Sequence, residues 1–133
     1  MFKADWPAPS NVKTCLSSRN GGVSERPYTS LNLGDHVGDN PRSVEENRQI
    51  FAQNLPAEPL WLTQVHGVEV LDAAKTYSAS PQADASYSKN INKVCCVMTA
   101  DCLPVLFCNK QGTQVAAAHA GWRGLLDGIL EET

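Results

Sequence analysis

The sequence predicts a domain in which helices and strands are mixed, and three observations carry that expectation. Asn40-Pro41 is a helix-start signal followed by apolar residues at helical spacing. Three short apolar runs between residues 94 and 118 carry apolar side chains on both faces, as strands covered on both sides do. A glycine-bounded turn at residues 121–124 leads into a second helix-like stretch. With 133 residues, 42% of them hydrophobic and 19% charged, the chain has the size of one ordinary globular domain with a real core, expected over residues 1–133.

In chain order, residues 14–18 predict a strand running into Arg19-Asn20-Gly21-Gly22-Val23-Ser24. That loop either brings backbone amides close to a ligand or makes a plain tight turn. Residues 31–39 are loop-like, and a helix is expected over 41–55 with an inward stripe of Val44, Arg48, Phe51 and Leu55. An arginine in that stripe needs a partner, whether a structural carboxylate, the solvent or a ligand. Pro56 stops the helix. Residues 60–66 predict a strand closed by Gly67, residues 68–71 a second one, and the Ser-, Ala-, Asn- and Pro-rich stretch 75–92 a loop. Strands are then expected over 94–98, 103–108 and 113–118, and a helix over 125–131.

The net charge of −3 comes from charges scattered along the chain, which excludes the basic footprint of a nucleic-acid binder and favours small-molecule or protein partners. The N-terminus has no apolar stretch behind its lysine and no segment approaches the ~20 apolar residues of a membrane span, so the expectation is a protein of the cytoplasm without a membrane partner. Five cysteines, an odd number with four of them crowded between residues 95 and 108, suit reduced thiols better than a disulfide framework. Cys95, Cys96 and Cys108 are assigned to packing.

Three candidate metal ligands share one kind of position, the end of an expected strand: His66, Cys102 and His119. Zinc takes imidazole nitrogen and thiolate sulfur in a tetrahedral site, and three protein ligands leave a fourth position open for catalysis. The 36 residues between His66 and Cys102 are no local signature. The surroundings strengthen the case, because Ala120 and Gly121 leave room beside His119, and Asp101 puts a polar group beside Cys102. The same residues also suit a cysteine hydrolase, with Cys102 as nucleophile and His66 or His119 as base. At Gly121-Trp122-Arg123-Gly124 an arginine and the start of a helix offer contacts for an anion such as phosphate, or else form a plain turn with Trp122 as packing.

Taken together, Arg19-Asn20-Gly21-Gly22-Val23-Ser24, Glu46-Asn47-Arg48, Gln64-Val65-His66-Gly67, Thr99-Ala100-Asp101-Cys102-Leu103-Pro104-Val105 and His119-Ala120-Gly121-Trp122-Arg123-Gly124 resemble the YfiH family. It is also called the laccase-domain or multicopper polyphenol oxidase family, and its members are regarded as purine nucleoside phosphorylases. The likeness runs from about Trp6 to the last residue. It implies an α+β fold layered α/β/β/α and a zinc held by His66, Cys102 and His119. It further implies phosphorolysis of adenosine, inosine, guanosine and methylthioadenosine, with deamination of adenosine besides.

Copper in place of zinc, with polyphenol oxidation, and a cysteine hydrolase are older readings of the same pocket. A cell-wall quality-control factor, or a regulatory protein with a structural zinc, is a further alternative. On the phosphorylase reading Arg48 and Arg123, with Arg19 behind them, are the candidate phosphate contacts, while Asp84 and Asp101 either carry protons or support the metal ligands. Oligomeric state is left open. Family members usually continue for roughly as much chain again beyond the tryptophan-arginine motif. The expectation is therefore a fold lacking the family's C-terminal portion, with an uncovered apolar face or edge on the strands between residues 94 and 118.

Overall fold

The asparagine–proline signal does open a helix. In the computed structural model, which describes residues 1–133, α1 spans Pro41–Ala52, and the Asn40 side chain accepts a hydrogen bond from the Arg42 amide at 3.0 Å. It belongs to the first of two compact units, formed by Met1–Trp6 with Lys13–Pro56; the second is formed by Pro7–Val12 with Ala57–Thr133. Val44 and Phe51 are buried as the stripe predicts. Leu55 lies beyond the helix, because the amides of Asn54 and Leu55 close tight turns onto Phe51 and Ala52, and Pro56 disfavours helical geometry at the residue before it.

The first unit is organised by a residue outside that stripe. Asn47 is fully buried, donates to Ser24 Oγ, Ser30 O and Asn32 O, and accepts from the Val23 amide. Gly22 packs so closely against Asn47 Oδ1 and Ser30 O that no Cβ fits there. The strand expected over 14–18 is reduced to one antiparallel bridge, Phe2 to Leu16, because no further partner continues the ladder.

The second unit is built on a four-stranded mixed sheet in the order β1-β2-β4-β3: β1 Val70–Asp72, β2 Ala85–Ser88, β3 Leu103–Cys108 and β4 Val115–Ala120. β1 and β2 are parallel, and β4 runs antiparallel to both β2 and β3. The α+β class is thus borne out, and β3 falls where the sequence places it. β2 lies inside the stretch read as loop. Its Ser86 and Ser88 are buried although polar, so the hydrophobic alternation that marks a strand is absent there. The strands expected over 60–66 and 94–98 are single parallel bridges, Leu60 to Cys95 and Thr63 to Gln82, since neither segment stays beside a partner for a second pairing.

β4 begins and ends two residues later than expected. The helix expected over 125–131 begins at Trp122 and is divided by the left-handed Gly128 into α2 Trp122–Asp127 and α3 Ile129–Glu132. The core of this unit joins Ala85, Ala118, Ala120 and Ile129 with Val68, Val70, Val105, Phe107 and Leu130. β3 is an edge strand whose Leu103 is exposed while residues 105–108 are half-buried, and Trp122 and Leu126 of α2 lie exposed as well. All five cysteines are free thiols. No helix is long and apolar enough to cross a membrane.

Candidate metal centre

The register of β3 and β4 explains why two distant motifs meet. Leu103 pairs with Ala120 and Pro104 with His119, so Cys102, one residue before β3, reaches the same end of the sheet as His119, the penultimate residue of β4. His66 arrives differently. It is not at a strand end but in a turn, in the left-handed conformation at φ 61°, which a residue with a Cβ rarely adopts.

A single carboxylate holds that turn. Asp84 accepts from the amides of Val65 (3.0 Å), His66 (2.9 Å) and Gly67 (2.8 Å), and the three bonds offset a backbone strain on the order of 1–3 kcal/mol. The same Asp84 lies 2.8 Å from Nδ1 of His119, and its carbonyl accepts from the His119 amide at 2.7 Å. Burial alone would raise the Asp84 carboxyl. The hydrogen bonds from His119 and the three amides outweigh it and hold the group below the ordinary carboxylate value. A carboxylate at this distance can only accept, so it favours a proton on Nδ1 of His119.

A second clamp joins the segments that carry His66 and Cys102. Gln64 donates from Nε2 to the Met98 carbonyl and accepts the Met98 amide at Oε1, both at 2.7 Å, as a paired strand would. Gln64 belongs to the Gln64-Val65-His66-Gly67 motif, but this role is not evident from the motif alone. Its signal was a long amide side chain two residues before a candidate ligand.

The donor atoms of His66, Cys102 and His119 all lie within 4.8 Å of one another. Cys102 Sγ is 3.9 Å from His66 Nε2, and the two imidazoles meet edge to face with centroids 4.7 Å apart at 78°. Donors around a tetrahedral zinc stand ~3.5 Å apart, so small side-chain rotations bring this set onto an ion. Gly121 keeps the space open, because a Cβ there would stand 2.8 Å from His66 Cδ2 and 3.1 Å from Cys102 Sγ. Two imidazoles and a thiol suit zinc or copper rather than calcium or magnesium. His119 is buried, Cys102 half-buried and His66 exposed, so the cluster opens to solvent on the His66 side.

Asp101 is exposed beside Cys102. Arg123 is exposed on α2, with its guanidinium 5.2 Å from the centre of the Trp122 ring. Arg48 and Arg19 belong to the first unit. Arg48 donates from Nε to Leu33 O and pairs through Nη2 with Asp35 at 3.3 Å, which supplies the partner that an inward arginine requires. Arg19 directs Nε and Nη2 to Thr29 O.

Residues 13–133 match the family described as multi-copper polyphenol oxidoreductase laccase. The chain is 64% identical over 130 residues to the Escherichia coli K12 protein named purine nucleoside phosphorylase YfiH, covering 96% of this chain and 54% of that one. It is 57% identical to a Pseudomonas aeruginosa purine nucleoside phosphorylase, over 97% of this chain and 52% of that one. Among solved structures, a Neisseria meningitidis protein of family DUF152 superimposes with a TM-score of 0.93 at 56% identity, over 99% of this chain and 55% of that one. A Bacillus licheniformis hypothetical protein YfiH gives a TM-score of 0.70 at 31% identity, over 84% of this chain and 46% of that one. The chain spans about half the length of the curated relatives it matches.

Proposed function

This chain belongs to the multi-copper polyphenol oxidoreductase laccase family, and on that premise we propose that it serves a zinc-dependent purine nucleoside phosphorylase of adenosine, inosine, guanosine and methylthioadenosine that also deaminates adenosine. The observation that carries the reading is the convergence of His66, Cys102 and His119 within 4.8 Å. Its partners are small molecules, a nucleoside and phosphate, and its proposed place is the cytoplasm.

His66, Cys102 and His119 hold the metal. An ion bound there supplies Lewis acidity, which serves both phosphorolysis and deamination. Phosphorolysis forms a bond from a phosphate oxygen to the anomeric carbon and breaks the glycosidic bond. The electron pair goes to the purine, which must gain a proton. Arg123, carried on the same unit as the ligands, is the proposed phosphate contact, since a guanidinium fork matches phosphate oxygens. Arg48 and Arg19, in the first unit, remain proposed anion contacts, each tested by substitution to Gln. Asp84 has both carboxylate oxygens engaged by hydrogen-bond donors and is poorly suited to carry protons. Exposed Asp101 is the proposed carrier between solvent and purine.

The test is phosphate-dependent release of free base and ribose 1-phosphate from adenosine or inosine. Cys102→Ala abolishes it by removing a ligand, whereas Cys108→Ala, a half-buried β3 residue, costs only ~1–2 kcal/mol of packing. Turnover that ignores phosphate but responds to chelators turns the reading to a zinc hydrolase or deaminase, and full activity in Cys102→Ala defeats it. A second reading, the cysteine hydrolase, is favoured by the 3.9 Å approach of Cys102 Sγ to His66 Nε2. Metal analysis separates the two, because a bound metal occupies the thiolate that a nucleophile needs free. The same analysis decides between zinc and copper.

A further inference from the structure

We propose that Asp84 is a positioning residue that sets both imidazoles of the cluster at once, holding His66 through its backbone and His119 through its tautomer. The inference rests on the metal reading and goes beyond it, because it assigns a function to a residue that is itself no ligand.

The two effects have separate structural causes. On one side, three consecutive amides converge on the carboxylate, Val65 and Gly67 on Oδ2 and His66 on Oδ1. They keep the chain at φ 61°, which aims the His66 ring at Cys102. On the other side, Oδ1 lies 2.8 Å from His119 Nδ1. A carboxylate oxygen accepts and cannot donate, so the proton of neutral His119 is kept on Nδ1 and Nε2 is presented as a metal donor. A buried carboxylate that fixes an imidazole tautomer is a known catalytic device. Here the same oxygen also fixes the backbone of the second ligand.

Asp84→Asn keeps the shape and changes the acceptor count, which makes its effect predictable. The carboxamide has one acceptor oxygen for four donors. With that oxygen at the Oδ1 position, the NH2 group faces the amides of both Val65 and Gly67, giving two donor–donor conflicts. With the oxygen at Oδ2, it faces one amide, His66, and His119 can answer it by accepting at Nδ1. The second arrangement carries fewer conflicts, and it moves the His119 proton to Nε2, where it blocks metal binding.

The test uses the whole chain and the metal alone. Histidine 15N–1H correlation spectra of the metal-free protein at mildly alkaline pH report the tautomer, and competition with a chromophoric chelator reports zinc affinity. The expected result is an Nδ1–H tautomer for His119 in the native chain, an Nε2–H tautomer in Asp84→Asn, and zinc affinity lower by about 10–100-fold in the variant. A native His119 in the Nε2–H form overturns the proposal without any variant, and so decides the matter if Asp84→Asn does not fold. Lowered affinity with Nδ1–H retained also overturns it, since that would be a structural defect alone. Failure of the native chain to bind zinc, with the Nδ1–H tautomer intact, refutes the metal reading and leaves the tautomer assignment standing.

Discussion

Gly121→Ala tests the metal centre with one carbon atom. Gly121 has φ −71° and ψ 162°, ordinary extended geometry that alanine adopts freely, so the substitution introduces no backbone strain. Its Cβ, however, would stand 2.8 Å from His66 Cδ2 and 3.1 Å from Cys102 Sγ. Ordinary contact begins near 3.4 Å, so the His66 ring must retreat by about 0.6 Å and the sulfur by about 0.3 Å. His66 is exposed and can swing towards solvent, which keeps the loss of folding stability below ~1 kcal/mol, or about 3–5 °C in Tm. A ligand set tolerates displacements of only ~0.5 Å, so zinc affinity should fall by about 10–100-fold in chelator competition while the metal-free protein melts almost as before. Unchanged zinc affinity would refute the placement of Gly121 between the two ligands, and a collapse in Tm would refute the claim that His66 can yield.

Asn47→Ala should cost roughly 2–4 kcal/mol in urea unfolding, because it strands the Val23 amide and the Asn32 carbonyl; a change below ~1 kcal/mol would contradict its organising role. Asp39 is held below the usual carboxylate value by Ser24, then by Asn32 and the Asn40 amide, against some desolvation. Its contribution is therefore present above pH ~4 and lost as pH falls through the lowered value, so Asp39→Asn should flatten the acid limb of stability followed by circular dichroism. Burial pushes the Cys95 thiol up from 9.0 to about 11, the Asp72 charge adding to it against the Ser86 hydroxyl. The folded chain then keeps a proton that the unfolded chain loses, so stability should fall as pH rises from 9.0 towards 11. In mass-mapped alkylation near neutral pH, Cys95 should react far more slowly in the native protein than in urea; equal rates would contradict its environment.

What the sequence revealed depended on whether a residue's role was written in its own chemistry or in its neighbours'. α1 was legible because a side-chain cap and a proline are local signals, and β3 because its apolar run stands beside Cys102 at a clear boundary. β2 was not, since it is a central strand whose Ala85, Ser86 and Ser88 are all buried and show no apolar contrast of their own. The three ligands were legible as residue types, whereas the turn at His66 was not, because its left-handed backbone is imposed by Asp84 from a different segment. Asp84 itself could be named but not assigned between proton transfer and support. Its hydrogen bonds to the residues around His66 and to His119 are long-range facts that no local pattern encodes.

The strand that carries His119 is built almost wholly of alanine: Ala116, Ala117, Ala118 and Ala120 are all buried. Alanine has no rotamers to lose, so ordering these positions carries no side-chain entropy cost. Beyond Val115 at its start, the only β4 side chain whose freedom is reduced on folding is the imidazole. The strand is consequently a stiff mount, and the one ring it carries is held in turn by the 2.8 Å contact of its Nδ1 with Asp84. On heating, the His119 ring resonances should therefore stay sharp until the backbone amides of β4 lose their protection from exchange.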